Sequence, residues 1–550
     1  MSIENKQAQD QKTYVIIGGV AGGMSTATRL RRLNEFANII VLERSGYVSF
    51  ANCGLPYYVG GVIEDRNALL LQTPRSLAFR FDLDVRCRTE ALSIDPEAKT
   101  VEVRDIGTDE TYTLNYDKLV LSPGARPIMP PIPGIERALP LRDIEDTDRM
   151  ANATRHAKTA VVIGGGFIGI EVAENLVHLG MDVTLVEAAA QVMAPVDPEL
   201  AALVHDELRR NGVKLVLNQS VTAISEDSVT VTDGTEIQAD VVVASIGVRP
   251  DTELAKGAGL TVGDLGGISI NEQFQTSDPH IYAIGDAVEK VDALTGEPTL
   301  LPLANTANRQ GRILADILSG RSGKERPVIG TSIVAVFDLQ VAATGWNEKR
   351  LKAAGKPYRA IHTHPLSHAG YYPGAATMSL KLLVDPETDA ILGAQGVGSD
   401  AVDKRIDVIA TAMAGGITAS DLIDLELAYA PPFGSAKDPV NMLGYINCNI
   451  ADGLTETIQW YEVEEYQEKG YTLVDVRTPG EFARGAIPGS VNFELDRLRA
   501  NLDKLPEGDL IINCAVGLRG HVAAQILRQN GRKAYNLDGG YKTWVAGTSL

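Results

Sequence analysis

The chain has 550 residues, 44% of them hydrophobic, and a formal net charge of −20 from 51 Lys and Arg against 71 Asp and Glu. That length predicts about three or four domains, and the acidic balance excludes nucleic acid as a general partner because phosphate binding needs a basic face. Four scattered cysteines, Cys53, Cys87, Cys448 and Cys514, match neither a disulfide framework nor zinc spacing, so no metal is expected. The polar residues 1–10 lack an apolar signal core, and no apolar run approaches a membrane span, so a cytoplasmic enzyme is expected.

In chain order, KTYVIIGGVAGGMSTATRLRRL followed by ANIIVLERS reads as a buried strand, a glycine turn, a helix and a strand ending in Glu43 and Arg44. Its turn keeps Gly18, Gly19, Gly22 and Gly23, with Val20 at the middle glycine position and Ala21 beside it. SFANCGLPYY comes next, with Cys53 alone; the second cysteine of a C-x4-C pair would fall at Tyr58. A free thiol near pKa 8.5 is only about 3% thiolate at pH 7, so a nucleophile here needs surroundings that lower its pKa. A helix start and a cofactor against the sulfur are the expected source. Residues 68–115 read as an inserted group of strands and a helix. YDKLVLSPGARP then returns to a buried strand ending at Ser122, Pro123 and Gly124.

The first unit recurs with Gly164 in the place of Gly18: TAVVIGGGFIGIEVAENLVHLG, then MDVTLVEAA. Gly164, Gly166 and Gly169 form G-x-G-x-x-G around Phe167 and Ile168, where a pyrophosphate can approach a helix N-terminus. Glu187 is placed for a ribose 2′-hydroxyl, and Ala188 to Ala190 offer no cation for a 2′-phosphate, which favours NADH over NADPH. SIGVRPD and YAIGDA are further strand ends, carrying Gly247, Gly285 and Asp286. Asp286 reads as a ligand for a ribityl or ribose hydroxyl or as a helix N-cap. From about 327, alternating strands and then helices form an α+β domain, and INCNIADGLTETIQ reads as a linker. A compact βαβ-rich unit ends the chain. In it a buried strand reaches Cys514, loop N–H groups can point at the sulfur, and Arg519 can add charge.

The two glycine turns, SPGARP, SIGVRPD and IYAIGDA resemble the flavin-dependent pyridine nucleotide–disulfide oxidoreductases from residue 13 to about 445, and SFANCGLPYY resembles their single-cysteine branch. The resemblance implies FAD bound by residues 12–150 and 266–326, NADH by 151–265, a dimerisation domain at 327–446 and a linker at 447–457. It implies that Gly18, Gly19, Ala21, Gly22, Gly23, Glu43, Arg44, Asn52, Ser122, Pro123, Gly124, Gly285 and Asp286 serve the FAD. Gly164, Gly166, Phe167, Ile168, Gly169, Glu187 and Gly247 complete the cofactor set. A helix entered through Pro302, Leu303, Ala304 and Ala307 would face the flavin pyrimidine with its N-terminus. Oxidases and peroxidases of the branch carry His where Ala21 stands, so the coenzyme A members are the better likeness. Substrates are then coenzyme A persulfide, polysulfide or coenzyme A disulfide, whose own thiol replaces the missing cysteine at Cys53. The resemblance further implies a homodimer in which Tyr371, Tyr372 and Tyr429 complete the other chain's site and can protonate a departing thiolate. Arg32, Arg75 and Arg80, with Ser49, Phe50 and Asn52, are the candidate coenzyme A ligands; Arg31 is also offered, and Cys87 is read as packing.

LVDVRTPGEF, GAIPGS and CAVGLR resemble a single rhodanese domain over 458–550. The likeness implies sulfane sulfur carried at Cys514 and a loop braced by Asp475 and Arg477. Ala486 stands where His is common and the loop lacks a second Arg, which weakens thiosulfate chemistry more than persulfide chemistry. The expected architecture is α/β: two Rossmann-like dinucleotide-binding domains, an α+β dimerisation domain and a C-terminal rhodanese domain. The expected function is NADH-dependent, FAD-containing reduction of those sulfur substrates. Its rivals are an NADH oxidase or peroxidase working through a Cys53 sulfenate, and a redox-sensing protein that docks through its rhodanese domain.

Overall fold

A computed structural model describes residues 11–549, so the polar stretch 1–10 lies outside the described residues. The chain divides into two compact units, Met1–Val186 with Gln219–Val328, and Glu187–Asn218 with Ile329–Leu550. Among the described residues no helix is long and apolar enough to cross a membrane.

In the first unit, a five-stranded parallel sheet runs in the order Ile281–Ala283, Lys118–Leu121, Thr13–Ile17, Asn38–Glu43, Asp84–Cys87. Val15 pairs with Ile40 on one side and Leu119 on the other. These strands read as unbroken apolar runs because both faces are covered, and Val15, Ile16, Val41, Leu119 and Val120 are fully buried. Each such side chain contributes roughly 1.5–3 kcal/mol of burial free energy. Asp84–Cys87, expected within an insertion, is the edge strand of this sheet; the inserted part is the antiparallel sheet Thr89–Asp95, Thr100–Asp105, Thr111–Asn115. The repeat builds a second parallel set, in which Thr159–Ile163 lies between Asp182–Glu187 and Val241–Ala244.

In the second unit, an antiparallel sheet runs Ser332–Val336, Leu339–Gly345, Ile391–Gly398, Met378–Val384, Arg359–Thr363. The helices Val402–Gly415 and Pro439–Ala451 cover it through Ile406, Ile409, Val440 and Leu443. A five-stranded parallel sheet follows, in the order Thr457–Ile458, Ala534–Leu537, Leu510–Asn513, Thr472–Asp475, Val491–Asn492. The segment Glu187–Asn218 groups with this unit. Its helix Pro198–Arg210 buries Leu200, Ala201, Val204 and Leu208 and packs against the helix Gly540–Thr548. The linker expected at 447–457 also needs correction. The helix Pro439–Ala451 runs through its first residues, and the strand Thr457–Ile458 takes its end. Asn447 is fully buried, its Nδ2 donating to Asp389 Oδ1 at 2.8 Å and Ser420 Oγ at 3.1 Å, so tertiary contacts hold polar residues in the helix.

Candidate active site

The two glycine turns are built alike. Gly18 and Gly164 take φ of +102° and +103°, and a Cβ on them would lie 2.0 Å from the Ser122 carbonyl oxygen and 2.4 Å from that of Ser245. Gly23 and Gly169 bring their helices so close that a Cβ would sit 1.9 Å from the carbonyl oxygens of Gly18 and Gly164. Both turns therefore need glycine for backbone reasons, leaving helix N-termini open to an anion. Gly166 has open space where its side chain would be. Glu43 is oriented by the N–H groups of Gly19 (2.9 Å to Oε2) and Ser45 (2.8 Å to Oε1). Glu187 Oε1 accepts from the N–H of Ala189 at 2.8 Å.

Asp286 sits in the turn Gly285–Ala287, and its Oδ1 is buried without a hydrogen-bond partner among the described residues. Burial raises its pKa, against the opposing pull of Lys290 and Arg142. An orphaned carboxylate oxygen at the end of a parallel strand fits a polyol hydroxyl, so the residues present fit a flavin dinucleotide. The helix Ala304–Leu318 starts without a side-chain cap after Leu303; Pro302 and Ala304 are exposed and Ala307 is buried. Arg44 lies half-exposed, 4.0 Å from Glu90.

Cys53 occupies the short turn Asn52–Gly54 ahead of the helix Leu55–Val59, and both Asn52 and Cys53 are exposed. Ser49, at φ +50°, donates its N–H to the Gly19 carbonyl at 2.9 Å, tying the cysteine segment to the first glycine turn. The expectation of a lowered thiol pKa is not met by the protein alone. Desolvation, then Glu171 and Asp286, push the Cys53 thiol up, because the charges that converge on it are carboxylates. Glu171 was not anticipated. It lies on the helix Phe167–His178, just past the second glycine turn, and accepts from Tyr57 Oη at 3.2 Å. Burial raises the Glu171 carboxyl to about 7. Its position two residues after Gly169 and that of Tyr57, four after Cys53, were visible; their meeting was not.

The candidate coenzyme A ligands divide. Arg32, Arg75 and Arg80 are exposed, Arg32 lying 5.8 Å over the Phe81 ring. Arg31 instead is buried, donating to the carbonyls of Phe81, Glu35 and Asp82, which makes it a structural brace. Phe50 is buried and bridges to Leu70, so it packs beneath the segment. Cys87 is half-buried, its pKa pushed to about 11 by desolvation and Glu43. Tyr371 and Tyr429 are exposed with hydroxyls 3.0 Å apart, whereas Tyr372 stands edge-on to His368 at 5.7 Å. The phenol pair is thus Tyr371 with Tyr429.

Cys514 directly follows the strand Leu510–Asn513 and is fully buried. The N–H of Gly517, at φ +98°, donates to its Sγ at 3.2 Å, and the helix Leu518–Gln529 starts there. Arg477 braces the loop by pairing with Asp475 at 2.6 Å and donating to the Gly485 carbonyl at 2.7 Å, while Asn513 Nδ2 reaches Asp475 Oδ2 at 3.2 Å. Arg519 is held by both oxygens of Glu481, at 2.8 and 2.6 Å. That pairing pulls the Glu481 carboxyl down to about 2.

Residues 12–311 match the family model described as pyridine nucleotide-disulphide oxidoreductase, 331–439 its dimerisation domain, and 459–547 a rhodanese-like domain. The coenzyme A disulfide reductase of Staphylococcus epidermidis is 34% identical over 434 residues, 78% of this chain and 98% of that protein. The reduced CoADR-RHD of Bacillus anthracis superposes with a TM-score of 0.97 at 50% identity, covering 98% of both chains. The NAD-dependent persulfide reductase from A. fulgidus superposes at 0.91 with 38% identity, over 97% of this chain and 100% of that one.

Proposed function

Since the chain belongs to the pyridine nucleotide-disulphide oxidoreductases and carries a rhodanese-like domain after them, we propose that it reduces coenzyme A persulfide, polysulfide and coenzyme A disulfide with NADH, through FAD. The observation that carries this is the solitary exposed thiol of Cys53, with Tyr58 where a partner cysteine would stand. A disulfide at Cys53 must then take its second sulfur from the substrate. The Cys53 thiolate attacks the S–S bond of the substrate, and one coenzyme A thiolate leaves and takes a proton. FAD, when bound, supplies the two electrons of NADH that reopen the mixed disulfide at Cys53. The net change is coenzyme A disulfide plus NADH and a proton to two thiols and NAD⁺; a persulfide yields one thiol and hydrogen sulfide.

Glu43, Ser122 and Asp286 would hold the FAD, and Gly164 to Gly169 with Glu187 the NADH. Three alanines after Glu187 support NADH over NADPH. Glu171 and Tyr57 would keep a proton beside Cys53: a neutral Glu171 lets the thiol ionise, and an ionised one opposes it. In a homodimer, Tyr371 and Tyr429 would present their hydroxyls to the other chain's Cys53. Cys514 would take sulfane sulfur as a persulfide, stabilised by the Gly517 N–H. Ala21 in place of a histidine speaks against a peroxidase built on a Cys53 sulfenate.

The test is NADH oxidation by wild type, Cys53→Ser and Cys514→Ser with coenzyme A persulfide, coenzyme A disulfide, polysulfide or peroxide. Cys53→Ser abolishes turnover of every sulfur substrate, and peroxide supports little in any variant. Sustained sulfur reduction by Cys53→Ser, or peroxide as the best oxidant, overturns the reading.

A further inference from the structure

The segment Asp538–Gly540 lies between the antiparallel sheet of the second unit and the Cys514 loop, bonded to the first and packed against the second. His362, on the strand Arg359–Thr363, grips Asp538 Oδ2 twice, from its backbone N–H at 2.9 Å and from ring Nδ1 at 2.7 Å. Gln459 Nε2 adds a bond to the same oxygen at 3.3 Å. Gly539, at φ +66°, backs onto Thr543 and the histidine: a Cβ there would lie 2.0 Å from Thr543 Oγ1 and 2.8 Å from His362 Cβ. Gly540, at φ +64°, backs onto the sulfur loop, and its Cβ would lie 2.5 Å from the Cys514 carbonyl oxygen and 2.8 Å from the Gly517 nitrogen. That nitrogen is the donor to Cys514 Sγ. The N–H groups of Tyr541 and Lys542 then hold the carbonyls of Cys514 and Ala515 at 2.8 and 3.0 Å.

The histidine is itself anchored. Its Nε2 lies 2.9 Å from Glu199 Oε1, which also accepts from Lys381 Nζ at 2.6 Å. Lys381 further reaches Glu348 at 2.5 Å and Asp197 at 3.0 Å, so the cluster of three buried carboxylates is matched by an ammonium. Next to it His364 Nε2 meets Thr543 Oγ1 at 2.8 Å. With a carboxylate on each nitrogen, the His362 ring donates from both and is an imidazolium. Burial alone would lower its pKa; Asp538 and then Glu199 outweigh that and lift it to about 9.

We propose that His362 is a positioning residue for sulfur transfer at Cys514, holding Asp538 so that Gly540 sets the N–H and carbonyl groups around the sulfur. The inference rests on the reading of Cys514 as a sulfur acceptor. The Cys514 thiolate takes a terminal sulfur from the donor: one S–S bond breaks, one forms, and the shortened donor leaves as an anion. His362 touches neither sulfur nor donor and acts only through the Asp538 segment.

The experiment uses the full-length flavoprotein and sodium tetrasulfide, with trapped Cys514 persulfide measured by mass. An asparagine amide stands where Nδ1 does and a glutamine amide where Nε2 does. His362→Asn therefore keeps the side-chain bond to Asp538 and loads within about threefold of wild type, whereas His362→Gln keeps only the backbone N–H bond and slows loading roughly tenfold or more. Both variants keep wild-type NADH oxidation with coenzyme A disulfide, which reports that the chain is folded. Equal loading by the two variants, normal or impaired, overturns the inference. A wild-type chain that takes up no sulfur at Cys514 overturns the reading beneath it.

Discussion

The two thiols are prepared in opposite ways. Cys53 lies exposed on a short turn, and the charges around it, Glu171 and Asp286, oppose its ionisation. Cys514 is buried, with a backbone N–H aimed at its sulfur and a loop pinned by Arg477, Asp475 and the Asp538–Gly540 segment. The lesson is one of division of labour. On the proposed function, the thiol that would meet a cofactor and a bulky substrate is left open, and its reactivity is left to what binds. The thiol that would carry a single sulfur is organised in advance by backbone dipoles, which cost nothing to reorient during the reaction.

The comparison is sharpened most by removing the ion at the centre of the second unit. Lys381→Met leaves Asp197, Glu199 and Glu348 buried without their ammonium, and stability falls by about 3–5 kcal/mol in denaturant titration. A loss below about 1 kcal/mol would show that the cluster relaxes by protonation instead. Next is accessibility. In timed alkylation read by mass, Cys53 is modified well before Cys514, since the first is exposed and the second fully buried; the reverse order breaks the contrast.

Smaller effects separate the electrostatics. Glu171→Gln removes the carboxylate beside Cys53, so the thiol ionises at lower pH than in wild type, followed by ultraviolet thiolate absorbance. An unchanged titration would leave desolvation and Asp286 as the causes. A further electrostatic effect is the pH dependence of the second unit. His362 rises from 6.5 to about 9 on folding, so its contribution is complete below 6.5 and is lost as pH climbs to about 9. The unfolding midpoint should decline over that window in wild type, and less so in His362→Asn.

What was legible in the sequence was local. A glycine at positive φ, a strand of unbroken Val and Ile, and a lone cysteine before Gly-Leu-Pro each carry their own signature, so the repeated dinucleotide turns and both thiols were readable directly. Polar composition misled at Asn447, where a linker was expected. The helix continues there because Asp389 and Ser420, far away in the chain, accept its amide.

Sequence by itself determined the family of elements, the positions of the two sulfurs and the glycine turns, because backbone geometry and hydrophobic period act over a few residues. Tertiary structure alone decided which charges meet. Tyr57 and Glu171 are 114 positions apart, His362 and Glu199 are 163, and His362 and Asp538 are 176. Those encounters depend on desolvation and distance, and no local pattern records either.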